Sequence, residues 1–208
     1  MTSDPAARFA PATRWRTLAD LAPPLDAWLA ELGLEVIGGG GTPTEPAFSR
    51  DLVLDGARRF DLRVTVAWVD GVGLSVWAYY GDEGLEIPKR VYAGMLRANF
   101  DYPFVKFGLA DDDRPMLMIE LPPYGLERDS LALALVRLTV VADRLLEETA
   151  AAIADRGILP DWSGRTSRNE SLLAAHRAEV EASMPAWEGP VPQRRRRGLV
   201  ERLLGLNQ

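Results

Sequence analysis

Residues 96–124, LRANFDYPFVKFGLADDDRPMLMIELPPY, contain the pattern that decides the fold. From Phe104 to Leu109, Val105, Phe107 and Leu109 alternate with Phe104, Lys106 and Gly108, the period of two that a strand imposes. Asp111, Asp112, Asp113 and Arg114 then form a polar turn. Alternation resumes from Met116 to Leu121, with Leu117, Ile119 and Leu121 on one side and Met116, Met118 and Glu120 on the other. Two half-buried strands joined by a charged turn predict a β-hairpin. Pro122 and Pro123 close it, because proline cannot donate to a ladder.

Working outward, Pro88 suits the first turn of a helix whose apolar side is Val91, Tyr92, Met95, Leu96 and Phe100. Upstream, Ser49–Leu54, Arg59–Val69 and Leu74–Tyr80 read as three strands. Asp55-Gly56 and Asp70-Gly71 are turn signals between them, so an antiparallel meander is predicted. Leu18–Gly33 reads as helix in two pieces, divided at Pro23 and Pro24, with Gly33 as the C-cap. Gly38–Pro46 reads as a flexible linker, with no Lys-Ser or Lys-Thr to make it a phosphate loop. Downstream, Leu126–Arg156 is the strongest helical pattern, capped by Asp129 or Ser130. Leu131, Leu135, Leu138 and Leu145 lie on one stripe, and Leu133, Val136, Val140 and Val141 widen it. So wide an apolar surface demands burial on two sides, one against the sheet and one suited to a partner subunit. The four leucines are therefore expected in the core or in a dimer contact. The fold class is α+β, a single antiparallel sheet covered by helices in the order α-β-β-β-α-β-β-α.

That element order, with the residues Leu-Arg-Ala-Asn, Asp-Tyr-Pro-Phe-Val-Lys-Phe-Gly-Leu, an acidic turn and a strand ending in Leu-Pro, resembles the YbjN-like family of bacterial proteins. The family is similar in fold to the small dimeric chaperones of type III secretion. The resemblance covers about residues 25–156 and rests on element order and a few residues. It implies a type III secretion chaperone-like fold, a homodimer, and apolar patches that receive client segments.

The domain reading is a loose arm over 1–17, an α+β domain over 18–156, and a C-terminal helical extension over 157–208. In that extension Asn169–Met184 is predicted helical, and a basic block, Arg194, Arg195, Arg196 and Arg197, precedes a short amphipathic stretch. Charge is unevenly placed. Residues 1–156 hold 16 Lys and Arg against 24 Asp and Glu, a balance of −8; residues 157–208 hold 8 against 6, or +2, giving the overall −6. The body should repel nucleic acid and the tail attract it. With no cysteine there is neither a disulfide framework nor a thiolate site, and a single histidine, His176, leaves no second imidazole for a metal. No apolar run approaches the ~18 residues that span a bilayer. The expectation is a cytoplasmic protein.

No motif carries a reaction. Asp111–Asp113 lacks the alternating ligands, glycine and closing glutamate of a calcium loop, and His176 has no motif partner. No catalytic, cofactor-binding or metal-binding residue is assigned, and the chain reads as a non-enzyme. Large rings are more informative: Trp68, Trp77 and Tyr79 on neighbouring strands are expected to bind a client, through strand addition at exposed edges and apolar contact. The expected function is therefore that of a dimeric protein-binding protein, a chaperone-like or regulatory, stress-linked adaptor. The alternative is a nucleic-acid-associated factor using Arg194–Arg197.

Overall fold

A computed structural model describes residues 18–41, 48–69, 72–81, 84–124, 126–154 and 157–186. The elements run α1 (Leu18–Glu31), β1 (Val36–Gly38), β2 (Phe48–Leu54), β3 (Leu62–Val69), β4 (Gly73–Tyr79), α2 (Lys89–Asp101), β5 (Lys106–Leu109), β6 (Pro115–Leu121), α3 (Arg128–Arg144), α4 (Ala150–Ile153) and α5 (Glu170–Ala182). The six strands form one antiparallel sheet in the order β1-β2-β3-β4-β6-β5. The α+β class, the meander and the hairpin are as the sequence predicts. An expected arm over 1–17 and the block Arg194–Arg197 lie outside the described residues.

Period-two alternation puts Phe48, Leu52, Leu54, Leu62, Val64, Val66, Trp68, Leu74, Val76, Ala78, Leu117 and Ile119 on one face. There they join Leu25 and Leu29 of α1, Val91, Met95 and Ala98 of α2, most of α3, and Leu172, Leu173 and Val180 of α5 in a single core. Helices thus cover one face.

Four local expectations are corrected. α1 runs unbroken through Pro23 and Pro24; an interior proline costs about 3 kcal/mol, a penalty opposed by the burial of Leu25 and Leu29. Its C-cap is as predicted: Gly33 takes φ 69°, its N–H donates to Ala30 O, and the N–H of the buried Leu34 donates to Leu29 O, the two bonds of a Schellman turn. Gly38 and its successors are not only linker, because Gly38 ends a strand and Gly40 exchanges hydrogen bonds with Ser49. The segment Arg59–Asp61 is not strand, since Asp61 is left-handed at φ 57°.

The fourth correction is the long helix, which stops at Arg144. After a turn it resumes as the one-turn α4, and Glu127, without a side-chain bond, stands at the N-cap in place of Asp129 or Ser130. The break brings Thr149 and α4 to the end of the sheet. Tyr80, fully buried, has its hydroxyl 2.9 Å from Thr149 Oγ1 and 3.4 Å from the Ala142 carbonyl, while the Arg59 guanidinium lies 4.3 Å from its ring centre. Burial pushes the Tyr80 phenol above its ordinary 10.0. The unfolded chain ionises at the ordinary value, so this stability is intact below it and is lost as pH climbs through the raised one. Tyr80→Phe is expected to cost about 1 kcal/mol at neutral pH and to flatten the loss of stability above about pH 10, measured as urea midpoints across that range.

Residues 165–184 are packed onto the body. Asp55 is buried at the β2–β3 turn, where its carboxylate accepts from the N–H groups of Asp61 and Arg168 and from Arg168 Nε, while its own N–H donates to Asn169 Oδ1. Arg165 and Arg168 also bond Asp61, and the Arg165 hydrogen bond holds the Asp61 carboxyl below its ordinary value. From this clasp α5 crosses α3 and supplies its second cover.

Candidate protein-binding surface

The register separates the three rings expected to act together. Trp68 pairs with Phe48 and Leu74, so it points into the helix-covered core and is buried there. Trp77 and Tyr79 point the other way. Across that opposite face Thr65, Trp77, Met118 and Lys106 form one row and Tyr79, Met116 and Gly108 the next. Trp77, Met116 and Met118 are partly buried, Tyr79 is exposed, and the Arg114 guanidinium lies 4.0 Å from the Tyr79 ring centre. One parity step in β3 removes Trp68 from this surface.

Leu131, Leu135 and Leu138 are sealed from solvent, and Leu145 is buried with them. They are core residues within a single chain, because the sheet takes one side of α3 and α5 the other.

A different apolar surface emerges from α2. Val91, Met95 and Ala98 turn inward, which leaves Leu96 and Phe100 outside although they belong to the same broad stripe. Phe100 is 92% exposed and Leu96 59%; Phe104 and Leu109, beyond the helix, are 68% and 58% exposed. Phe104 is left-handed at φ 68°, so β5 begins only at Lys106, and the Arg137 guanidinium lies 4.8 Å from its ring centre. Between α2 and the hairpin lies a largely apolar groove of about 320 Å³, lined by Tyr92, Met95, Leu96, Phe107, Leu109 and Pro115 together with Gly108 and the charged Asp113. The sequence did hold a signal for this surface: apolar residues at 91, 95 and 98 and again at 92, 96 and 100 make a stripe wider than one packing neighbour covers.

β5 is an edge strand, but its middle is closed. The Phe107 N–H donates to Asn99 Oδ1 at 2.6 Å and Asn99 Nδ2 donates to the Phe107 carbonyl at 3.1 Å, so an α2 side chain stands where a neighbouring strand would bond. At the other edge β1 has three residues and an irregular register. Both edges are poor templates for strand addition, and the apolar side chains are the better contact.

The acidic turn behaves as a turn. Asp112 accepts from the N–H and Nε of Arg114, and Asp113 is left-handed at φ 61°. Among the described residues no group of three or more His, Asp or Glu side chains is arranged to hold a metal ion. His176 is partly buried on α5, between Leu173 and Val180 in sequence. No described helix is long and apolar enough to cross a membrane. Comparison of the chain with protein-family models and with curated protein sequences finds no match.

Proposed function

We propose that this chain is a non-catalytic, homodimeric protein-binding protein of the chaperone-like or adaptor kind. A second copy takes the α2 surface, and a client takes the sheet face bearing Trp77 and Tyr79. The observation that supports this most is Phe100, a large ring standing almost wholly in water one helical turn after the exposed Leu96, which itself lines a largely apolar groove with Leu109. Large apolar side chains left exposed beside one another on a helix of a folded chain mark a place where another polypeptide docks. The client face joins an indole, a phenol and two flexible thioethers, a combination that adapts to varied apolar segments. Its chemistry suits an extended apolar peptide, held by side chains and not by edge pairing.

Binding to a permanently unfolded polypeptide, reduced and carboxymethylated α-lactalbumin, tests the client half. Saturable binding that Trp77→Ala weakens by about tenfold or more is the expected result. Trp68→Ala serves as contrast: it should lower stability through a core cavity. Absence of binding by the full chain, or binding indifferent to Trp77, would remove the client face from the proposal.

A further inference from the structure

We infer that the groove between α2 and the β5–β6 hairpin takes as its occupant this chain's own residues 199–206, which lie outside the described residues. This goes beyond the reading above and bears on it: the segment and a second copy exclude one another at α2, and only that consequence rests on the proposed homodimer. The segment's sequence supplies the matching surface. Leu199, Val200, Leu203 and Leu204 repeat at the spacing that gathers side chains on one side of a helix, and Arg194–Arg197 precede them. A helix this short is unstable alone in water and gains its order by docking.

Position and charge select this groove. The chain leaves α5 beside the C-terminal end of α2: Arg137 Nη2 donates to Ser183 Oγ at 3.4 Å, and the same guanidinium lies 4.8 Å from the ring centre of Phe104, three residues beyond α2. From Ala186 the eight residues to Arg194 can span up to about 26 Å, so the basic block reaches Asp101, the exposed acidic end of α2. As a helix, residues 199–206 would run about 12 Å, the rise from Phe100 back to Tyr92. Laid antiparallel to α2, they pass Phe100 and Leu96 and settle against Tyr92, Met95 and Leu109. In that register Glu201 falls level with Ala98 and Arg97, while Lys89 and Arg90 stand at the far end of α2 from the arginine block. Residues 187–208 hold five Arg against two Glu, and residues 1–186 hold 19 Lys and Arg against 28 Asp and Glu, so the segment is drawn to the body. Tethering favours it further. A short linker holds its cargo at an effective concentration on the order of mM, which a second copy at micromolar concentration does not match.

The test uses the full chain. In this cysteine-free protein, Leu109→Cys combined with Leu203→Cys should be joined by a short bismaleimide within one chain of 22.9 kDa. Ile37→Cys with Leu203→Cys serves as control, because β1 lies at the opposite edge of the sheet from β5, and it should link far less. Leu203→Asp with Leu204→Asp should raise the fluorescence of the neutral dye Nile red by about twofold or more as apolar surface is uncovered, with circular dichroism unchanged. The same double variant should lower the dimer dissociation constant, read by light scattering across concentration, by about tenfold, since the competent state is no longer a minor one. No preference for the Leu109 pair over the Ile37 pair, or a link formed only between two chains, overturns the inference. An intrachain link in a protein whose double variant stays monomeric at every concentration supports the docking and overturns the homodimer reading alone.

Discussion

Asp143→Ala is expected to destabilise the protein by about 3–5 kcal/mol, lowering the melting temperature by on the order of 10 °C. Asp143 lies near the end of α3 and is buried. Its Oδ2 accepts from the Ala57 N–H at 2.8 Å, and its Oδ1 from the N–H groups of Arg58 and Arg59 at 3.0 and 2.8 Å. Three consecutive amides of the β2–β3 turn therefore have one carboxylate as partner. Gly56 makes room for it, since a Cβ there would stand 2.2 Å from Asp143 Oδ1. Alanine leaves those amides without that acceptor and opens a space that the turn cannot fill. An asparagine side chain in place of the aspartate would keep one acceptor oxygen, so Asp143→Asn is expected to cost about half as much. Thermal unfolding of both variants checks the order; equal, small losses would show that the turn is held chiefly by its other contacts.

Leu135→Ala is the second large effect, at about 3–4 kcal/mol. Leu135 is fully buried between the sheet and the helix layer of its own chain. Truncation there leaves a cavity whose lining loses its contacts, and close-packed neighbours recover only part of that loss. Because the burial is complete within one subunit, the loss measured by urea unfolding should be the same at low and high protein concentration. A loss that grows on dilution would place Leu135 in contact with a second copy. Phe100 should behave in the opposite way, with little effect on the unfolding of a single subunit and a large effect on association.

Much of the architecture was legible from spacing alone. The hairpin over 104–121 and the meander before it follow from period-two alternation between turn residues, and Gly33 was recognisable as a helix end because only a left-handed residue closes that turn cheaply. Where the reading missed, a tertiary contact had overridden a local tendency. The pattern over 126–156 is helical throughout, yet the chain breaks after Arg144 so that Thr149 and α4 reach Tyr80. Phe104 fits a strand by alternation, but its left-handed backbone delays β5.

The surface was harder to read than the fold. Sequence spacing determines that Trp77 and Tyr79 share a face, that Leu131, Leu135 and Leu138 share a stripe, and that the chain has enough apolar residues for one core. Side-chain direction repeats every two residues in a strand and every 3.6 in a helix, whatever the surroundings. Which face is covered is a different matter, because it depends on where helices distant in sequence come to rest. Only the tertiary structure sends Trp68 inward, closes the β5 edge with Asn99, covers α3 with α5 and leaves Phe100 in water. The apolar stripe on α2 is visible in one dimension, but its division into a buried and an exposed half is set by the position of β5 and the hairpin, which bury one side of the helix and not the other.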